Sequence, residues 1–202
     1  MAESKRDEIE KLLAEIQFDR WIFGFPTWFT VVSHGHRDHD PFGTSFPQPL
    51  VFSLNYRPRW RRLEHVEAVY IGEGVTRKIK GVRLTPIGPR VLSQILNTNI
   101  HWLHACWWLL RYKKVSALFI GELDVGEVGF LKKLLERIRC DALLLPAYGG
   151  IRSAHGATEP MELSRLIENL ALEEKGKGTF IYALPHPVSP SWAERCAVLL
   201  TP

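Results

Sequence analysis

The chain has 202 residues, 46% hydrophobic and 24% charged, with a formal net charge of +4. That composition excludes a disordered or low-complexity chain and suits one sizeable core, so residues 1–202 are expected to form a single domain. No apolar run reaches transmembrane length, the charged start has no signal-peptide core, and Cys106, Cys140 and Cys196 suggest neither a disulfide framework nor a Cys-x-x-Cys knuckle; a reduced, cytoplasmic setting with no membrane partner is expected.

Residues 7–17 place Ile9, Leu12, Leu13 and Ile16 at helical spacing and are expected to form an amphipathic helix. Residues 18–26 follow as an aromatic connection containing Gly24 and ending at Pro26. Residues 28–32 are β-branched and aromatic, the composition of a buried strand. That strand runs into His34, His36, Asp38 and His39. Three of the chain's 8 histidines thus fall within six positions, interleaved with aspartate. Imidazole and carboxylate are the ligands that borderline divalent cations such as zinc prefer. Alternate residues of an extended segment point the same way, so His34 and His36 can converge on one ion. A turn after Arg37 would direct Asp38 and His39 to a second.

His34-x-His36-x-Asp38-His39 resembles the H-x-H-x-D-H signature of the metallo-β-lactamase superfamily. The resemblance implies an α/β fold, an αββα sandwich with one or two metal ions at one edge. It implies Zn2+, with Mn2+ or Fe2+ as alternatives, and hydrolysis of esters, lactones, thioesters, amides or phosphodiesters, and it leaves the substrate open. Members begin with several strands ahead of this motif, whereas here one helix precedes it. Shortened or missing N-terminal strands would expose a sheet edge, which a second copy in a homo-oligomer would cover.

Downstream, residues 41–49 are expected to be a rim loop, 50–54 a strand, 59–66 a short helix, and 68–71 and 81–87 strands. Residues 91–100 read as a helix or an irregular connection. Strands at 107–112 and 115–120 flank a turn at Lys113-Lys114. The family carries a third histidine just ahead of this strand. His101 best matches its spacing and His104 is the rival; either would otherwise be a core histidine bonded to backbone. After the returning strand the family has Gly-Asp, the Asp bridging two ions. This chain has Gly121-Glu122-Leu123-Asp124. Asp124 keeps the residue type and is taken as the bridge, with Glu122 as the alternative; a carboxylate in this turn would equally cap the helix expected at 128–138. A buried strand at 142–146, a helix from 158 to about 174 and a strand at 179–184 complete the order.

His155 ahead of a Pro/Glu-rich helix start, and a last strand ending in Pro185-His186, resemble the L-ascorbate-6-phosphate lactonase-like branch. By that resemblance His34, His36 and His101 or His104 hold one ion, Asp38, His39 and His186 hold a second, and Asp124 bridges them. A water between the ions would ionise near neutral pH and supply hydroxide to an ester, lactone or phosphoester in a small-molecule substrate. Asp38 would orient that nucleophile and pass on its proton, and His155 would touch substrate or donate a proton. Two other readings stand beside this one. The basic clusters Arg57-Pro58-Arg59-Trp60-Arg61-Arg62 and Arg77-Lys78-Ile79-Lys80 would guide phosphates in a nuclease acting on RNA or DNA, although such clusters are more often a solvated face. A degenerate, non-catalytic homologue would only bind a metal or a partner.

Overall fold

The structure is a computed structural model and describes residues 4–35, 39, 46–56, 65–147 and 160–185. It opens with a capping box: Asp7 N donates to Ser4 Oγ (3.1 Å) and Ser4 N to the Asp7 carboxylate (3.0 Å). Helix α1, Lys5–Glu15, follows and buries Ile9, Leu12 and Leu13. The expected helix continued through Ile16 and Gln17. In the structure the chain turns extended at Ile16 (φ −117°, ψ 134°), and Ile16–Phe18 form strand β1, fully buried. Ile16 continues the helical period, yet its tertiary partner is a strand, and packing overrides local pattern.

Strand β1 pairs in parallel with β2, Phe29–Val32, which pairs with β3, Leu50–Ser53, which pairs with β4, Ala68–Ile71. These four make the smaller sheet, in sequence order. The larger sheet begins as an antiparallel meander of β5 (Arg77–Ile79), β6 (Val82–Ile87), β7 (Trp107–Tyr112) and β8 (Val115–Ile120). Helix α2, Pro89–Leu96, lies between β6 and β7 in the chain. Strands β9 (Ala142–Ala147) and β10 (Phe180–Pro185) then add in parallel to β8, after crossovers through α3 (Val125–Arg137) and α4 (Pro160–Gly176). The order is β10-β9-β8-β7-β6-β5. The short β5 was not expected, because an edge strand reading Arg-Lys-Ile shows no clear alternation.

Phe18, Phe29, Val31 and Val51 of the smaller sheet meet Leu84, Trp108, Phe119 and Leu144 of the larger one in a single buried cluster. Ile9, Leu12 and Leu13 belong to the same cluster, so α1 helps to fill the space between the sheets. Lys5 at its start reaches Asp141, just before β9, at 2.6 Å. The other face of the larger sheet, with Trp107, Leu118 and Leu143, is covered by Leu92 of α2, Leu131 and Leu134 of α3, and Ile167 and Leu170 of α4. The described residues thus form an α/β sandwich of two sheets and four α-helices. Among the described residues no helix covers the outer face of the smaller sheet, where Val32, Leu50 and Phe52 cluster. No described helix is long and apolar enough to cross a membrane.

Candidate metal centre

Parallel pairing of β1 and β2 brings two strand ends together. Asp19 follows β1 in a left-handed turn (φ 52°), and Ser33-His34 follow β2. The Asp19 carboxylate accepts from Ser33 N at 2.7 Å and from Ser33 Oγ at 2.6 Å. Its Oδ2 also lies 2.7 Å from Nδ1 of His39. Asp19, Ser33 and His39 are all fully buried. The second sheet joins at the same end. Cys106 N, just before β7, donates to Ser33 O (3.1 Å), and Trp108 Nε1 donates to Val32 O (3.1 Å).

The end of β8 contributes the other carboxylate. Glu122 is 2% exposed, and one of its oxygens lies 2.8 Å from His34 Nε2. Gly121 permits that approach: a Cβ there would stand 2.2 Å from Ser33 Oγ and 2.4 Å from Ser33 Cβ. The His34 and His39 rings are 4.0 Å apart between centroids, and Trp21 packs edge-on against His39 at 5.2 Å.

The hydrogen bonds fix the proton positions. A serine hydroxyl has one hydrogen, and an ionised Asp only accepts. The Ser33 hydroxyl is committed to Asp19, so its contact with His34 Nδ1 at 3.0 Å makes Nδ1–H the donor and Ser33 Oγ the acceptor. In the neutral ring His34 Nε2 would then carry the lone pair, and it faces a carboxylate oxygen. Two acceptors 2.8 Å apart in a dry interior repel unless a positive species neutralises them, either a proton on the ring or a metal cation. For His39 the bond from Nδ1–H to Asp19 likewise leaves Nε2 as the ligating nitrogen, the arrangement in which a carboxylate orients a metal-binding imidazole. His34, His39 and Glu122 each offer one ligand atom, and these lie within 4.8 Å of one another. Ligand atoms about 2 Å from one ion are at most about 4 Å apart, so the cluster has nearly the span of one coordination shell. The donor set fits a borderline divalent cation.

Of the residues picked out in the sequence, the structure brings His34 and His39 together. His36, Asp38, His155 and His186 lie outside the described residues. His101 is exposed and outside the cluster. His104 is half-buried: its backbone N donates to Glu127 Oε1 at 2.6 Å, its Nδ1 is 3.6 Å from the same oxygen, and Trp102 packs edge-on at 4.0 Å. Burial opposes charge on His104, but Glu127, helped by Glu122 and Asp124, raises its pKa above the ordinary value. Asp124 sits at the N-cap of α3, where its carboxylate accepts from Val125 N (2.7 Å) and Glu127 reaches back to Asp124 N (2.9 Å). It is Glu122 that stands beside His34. Asp19 was missed by sequence reasoning: a single aspartate in an aromatic stretch gives no signal until strand pairing sets it against Ser33.

The cavity of about 400 Å³ bounded by Lys5, Cys140, Asp141, Glu174 and Lys177 lies at the other end of the larger sheet, away from these donors. Burial pushes the thiols of Cys106 and Cys140 up, Cys140 to about 12, so neither is a thiolate at neutral pH.

No protein-family model matches the chain, and no curated protein matches it. Solved structures with a similar course include CmlA, a diiron β-hydroxylase from Streptomyces venezuelae (15% identity, TM-score 0.48, covering 82% of this chain and 46% of that one). The metallo-β-lactamase fold protein YhfI from Bacillus subtilis (12% identity, TM-score 0.42) is matched over 83% of this chain and 68% of its own. Unliganded yeast PDE1 (9% identity, TM-score 0.41) is matched over 98% and 68%. The chain therefore spans less than half the length of CmlA.

Proposed function

We propose that this chain is a metal-dependent hydrolase of metallo-β-lactamase type, acting on an ester, lactone or phosphoester. One observation carries the reading: the buried donors His34, His39 and Glu122 converge, with His34 Nε2 and a Glu122 oxygen in contact at 2.8 Å. A cation between such groups relieves their repulsion, and the Asp19–His39 and Ser33–His34 bonds hold the rings in the ligating tautomer. His36 and Asp38, from the signature, and His186, from the branch resemblance, complete the donor set, with His101 or His104 as a further candidate. In this reading the carboxylate ligand is Glu122, the alternative to Asp124, because it is Glu122 that lies beside His34. Zn2+ is the first candidate ion, and Mn2+ or Fe2+ would suit the same donors.

A bound divalent ion supplies Lewis-acid polarisation of a substrate oxygen and makes a coordinated water more acidic. The protein's part is to keep the site dry, to fix the ligand nitrogens through Asp19 and Ser33, and to place Asp38 as the group that orients the nucleophile and accepts its proton. We further propose a small-molecule substrate, a cytosolic setting and self-association at a sheet edge.

The test is metal content, by plasma mass spectrometry, of untagged protein purified without added metal. About one or two equivalents per chain, falling sharply in Glu122→Gln, supports the proposal. Hydrolysis of model lactones, esters or phosphodiesters that is lost in Asp38→Asn completes it. No metal at purification and no uptake on reconstitution would overturn it.

A further inference from the structure

From Gly74 to Gly121 the chain contains no Asp or Glu in 48 residues. Eight cations fall in that stretch: Arg77, Lys78, Lys80, Arg83, Arg90, Arg111, Lys113 and Lys114. The rest of the chain has 18 cations against 22 acids, a formal −4, so the net charge of +4 comes from this segment alone. Folding concentrates it further, because the segment builds the antiparallel half of the larger sheet.

The register sets three of these cations side by side. Lys78 pairs with Arg83 across β5 and β6, and Arg83 with Arg111 across β6 and β7. Neighbouring strands lie about 4.8 Å apart, so three positive side chains stand in one row across about 10 Å. Arg83 alternates with Val82 and Leu84, which face the smaller sheet, and Arg111 alternates with Leu110 in the same way. The row therefore projects from the outer face, and all three residues are exposed. Lys80 and Lys114 are exposed at the two adjoining turns. Ser116 continues the row, and the first acid beyond it, Asp141, is taken by Ser116 and by Lys5 at 2.6 Å. The side chains of Lys78, Arg83 and Arg111 enter no salt bridge or hydrogen bond with a described residue.

Like charges directly opposite each other on a sheet are destabilising, and here nothing described offsets them. We propose that this face docks the phosphodiester backbone of a nucleic acid. An extended polyanion matches a row of cations on an open sheet surface, which a single phosphate would engage only in part. An anionic membrane is the weaker fit. Cationic membrane surfaces carry apolar anchors alongside the charges, and none of the large exposed apolar side chains (Ile22, Phe23, Phe25, Leu54, Val75, Trp102, Leu172) lies on β5 to β8 or their turns. The inference is independent of the metal centre, which sits at the opposite ends of these strands.

The experiment is fluorescence anisotropy with labelled single-stranded RNA and DNA of about 20 nucleotides, titrated over a range of salt. Wild-type protein is expected to bind, with affinity falling steeply as salt rises. The triple variant Lys78→Ala, Arg83→Ala, Arg111→Ala should lower the log–log salt slope by about 2, from about 0.7 per lost phosphate contact on a single strand. A control triple, Lys132→Ala, Lys133→Ala, Lys175→Ala, removes equal charge from α3 and α4 and should leave the slope near wild type. Thermal melts accompany both; if the triple variant fails to fold, Arg83→Ala and Arg111→Ala are compared singly against the same controls. Absence of binding at low salt, equal losses in both triples, or capture by phosphatidylserine vesicles in preference to nucleic acid would each overturn the proposal.

Discussion

Asp19 and His39, twenty positions apart, meet at 2.7 Å through Oδ2 and Nδ1, both side chains fully buried. The same carboxylate takes the amide and hydroxyl of Ser33, so one aspartate fixes the ends of two strands and the ring of a ligand candidate. Asp19→Asn keeps the shape but presents a neutral amide that must set one NH2 group among three donors. Lost orientation of this kind lowers metal affinity about 10–100-fold, and breaking a buried charge contact costs about 3–5 kcal/mol. Metal competition with a chromogenic chelator and a urea melt check both. Unchanged metal affinity would show that Asp19 only ties strands together.

Glu122 and Asp124, two residues apart, should separate cleanly. Glu122→Gln removes a donor from the buried cluster and should strip the metal. Asp124→Ala removes a helix cap and should cost about 1 kcal/mol of stability, with metal content unchanged. Metal analysis of the two purified variants decides the matter. Metal loss in Asp124→Ala, with Glu122→Gln still loaded, would restore Asp124 as the ligand.

These two residues also show where the sequence was legible. Strands at 107–112 and 115–120 were expected from apolar, β-branched and aromatic runs around a turn, and they form with those limits. Asp124-x-x-Glu127 is a capping pattern, and α3 begins there, three residues ahead of the expected start. The choice between Glu122 and Asp124 was not legible, because it depends on which carboxylate the Gly121 approach to Ser33 aims inward. Lys78 stood in the cluster Arg77-Lys78-Ile79-Lys80, but Arg83 and Arg111 joined it in one row only through the pairing register.

Gly121 makes that close approach testable. In Gly121→Ala the new methyl would sit 2.2 Å from Ser33 Oγ, so β8 or Ser33 must shift. Such overpacking costs about 1–3 kcal/mol and would pull Glu122 from His34. A lower Tm with reduced metal content is expected. Ser33→Gly in the same chain should recover part of the Tm but not the metal, because the Ser33 bond to His34 is gone. An alanine variant with wild-type Tm and metal would mean that the two sheets stand further apart at this point.

The opposite end of the larger sheet gives a pH prediction. Asp141 accepts from Ser116 N (2.8 Å) and Ser116 Oγ (3.0 Å), and its other oxygen meets Lys5 at 2.6 Å. Burial pushes its pKa up, but Lys5 and Ser116 more than offset that and hold it below the ordinary carboxylate value. A folded-state pKa below the unfolded one favours folding while the group is ionised. The contribution is therefore complete above the unfolded value, about 3.9, and is lost as pH falls through the folded one. Wild type should exceed Asp141→Asn in stability by a constant amount at neutral and mildly acidic pH, and the gap should close below about pH 4. Lys5 is largely exposed, so added salt should narrow the gap at pH 7 without removing the part that Ser116 supplies. Urea melts of both proteins across that range provide the check. A gap that stayed constant into strong acid would assign the effect to the shape of the side chain rather than to its charge.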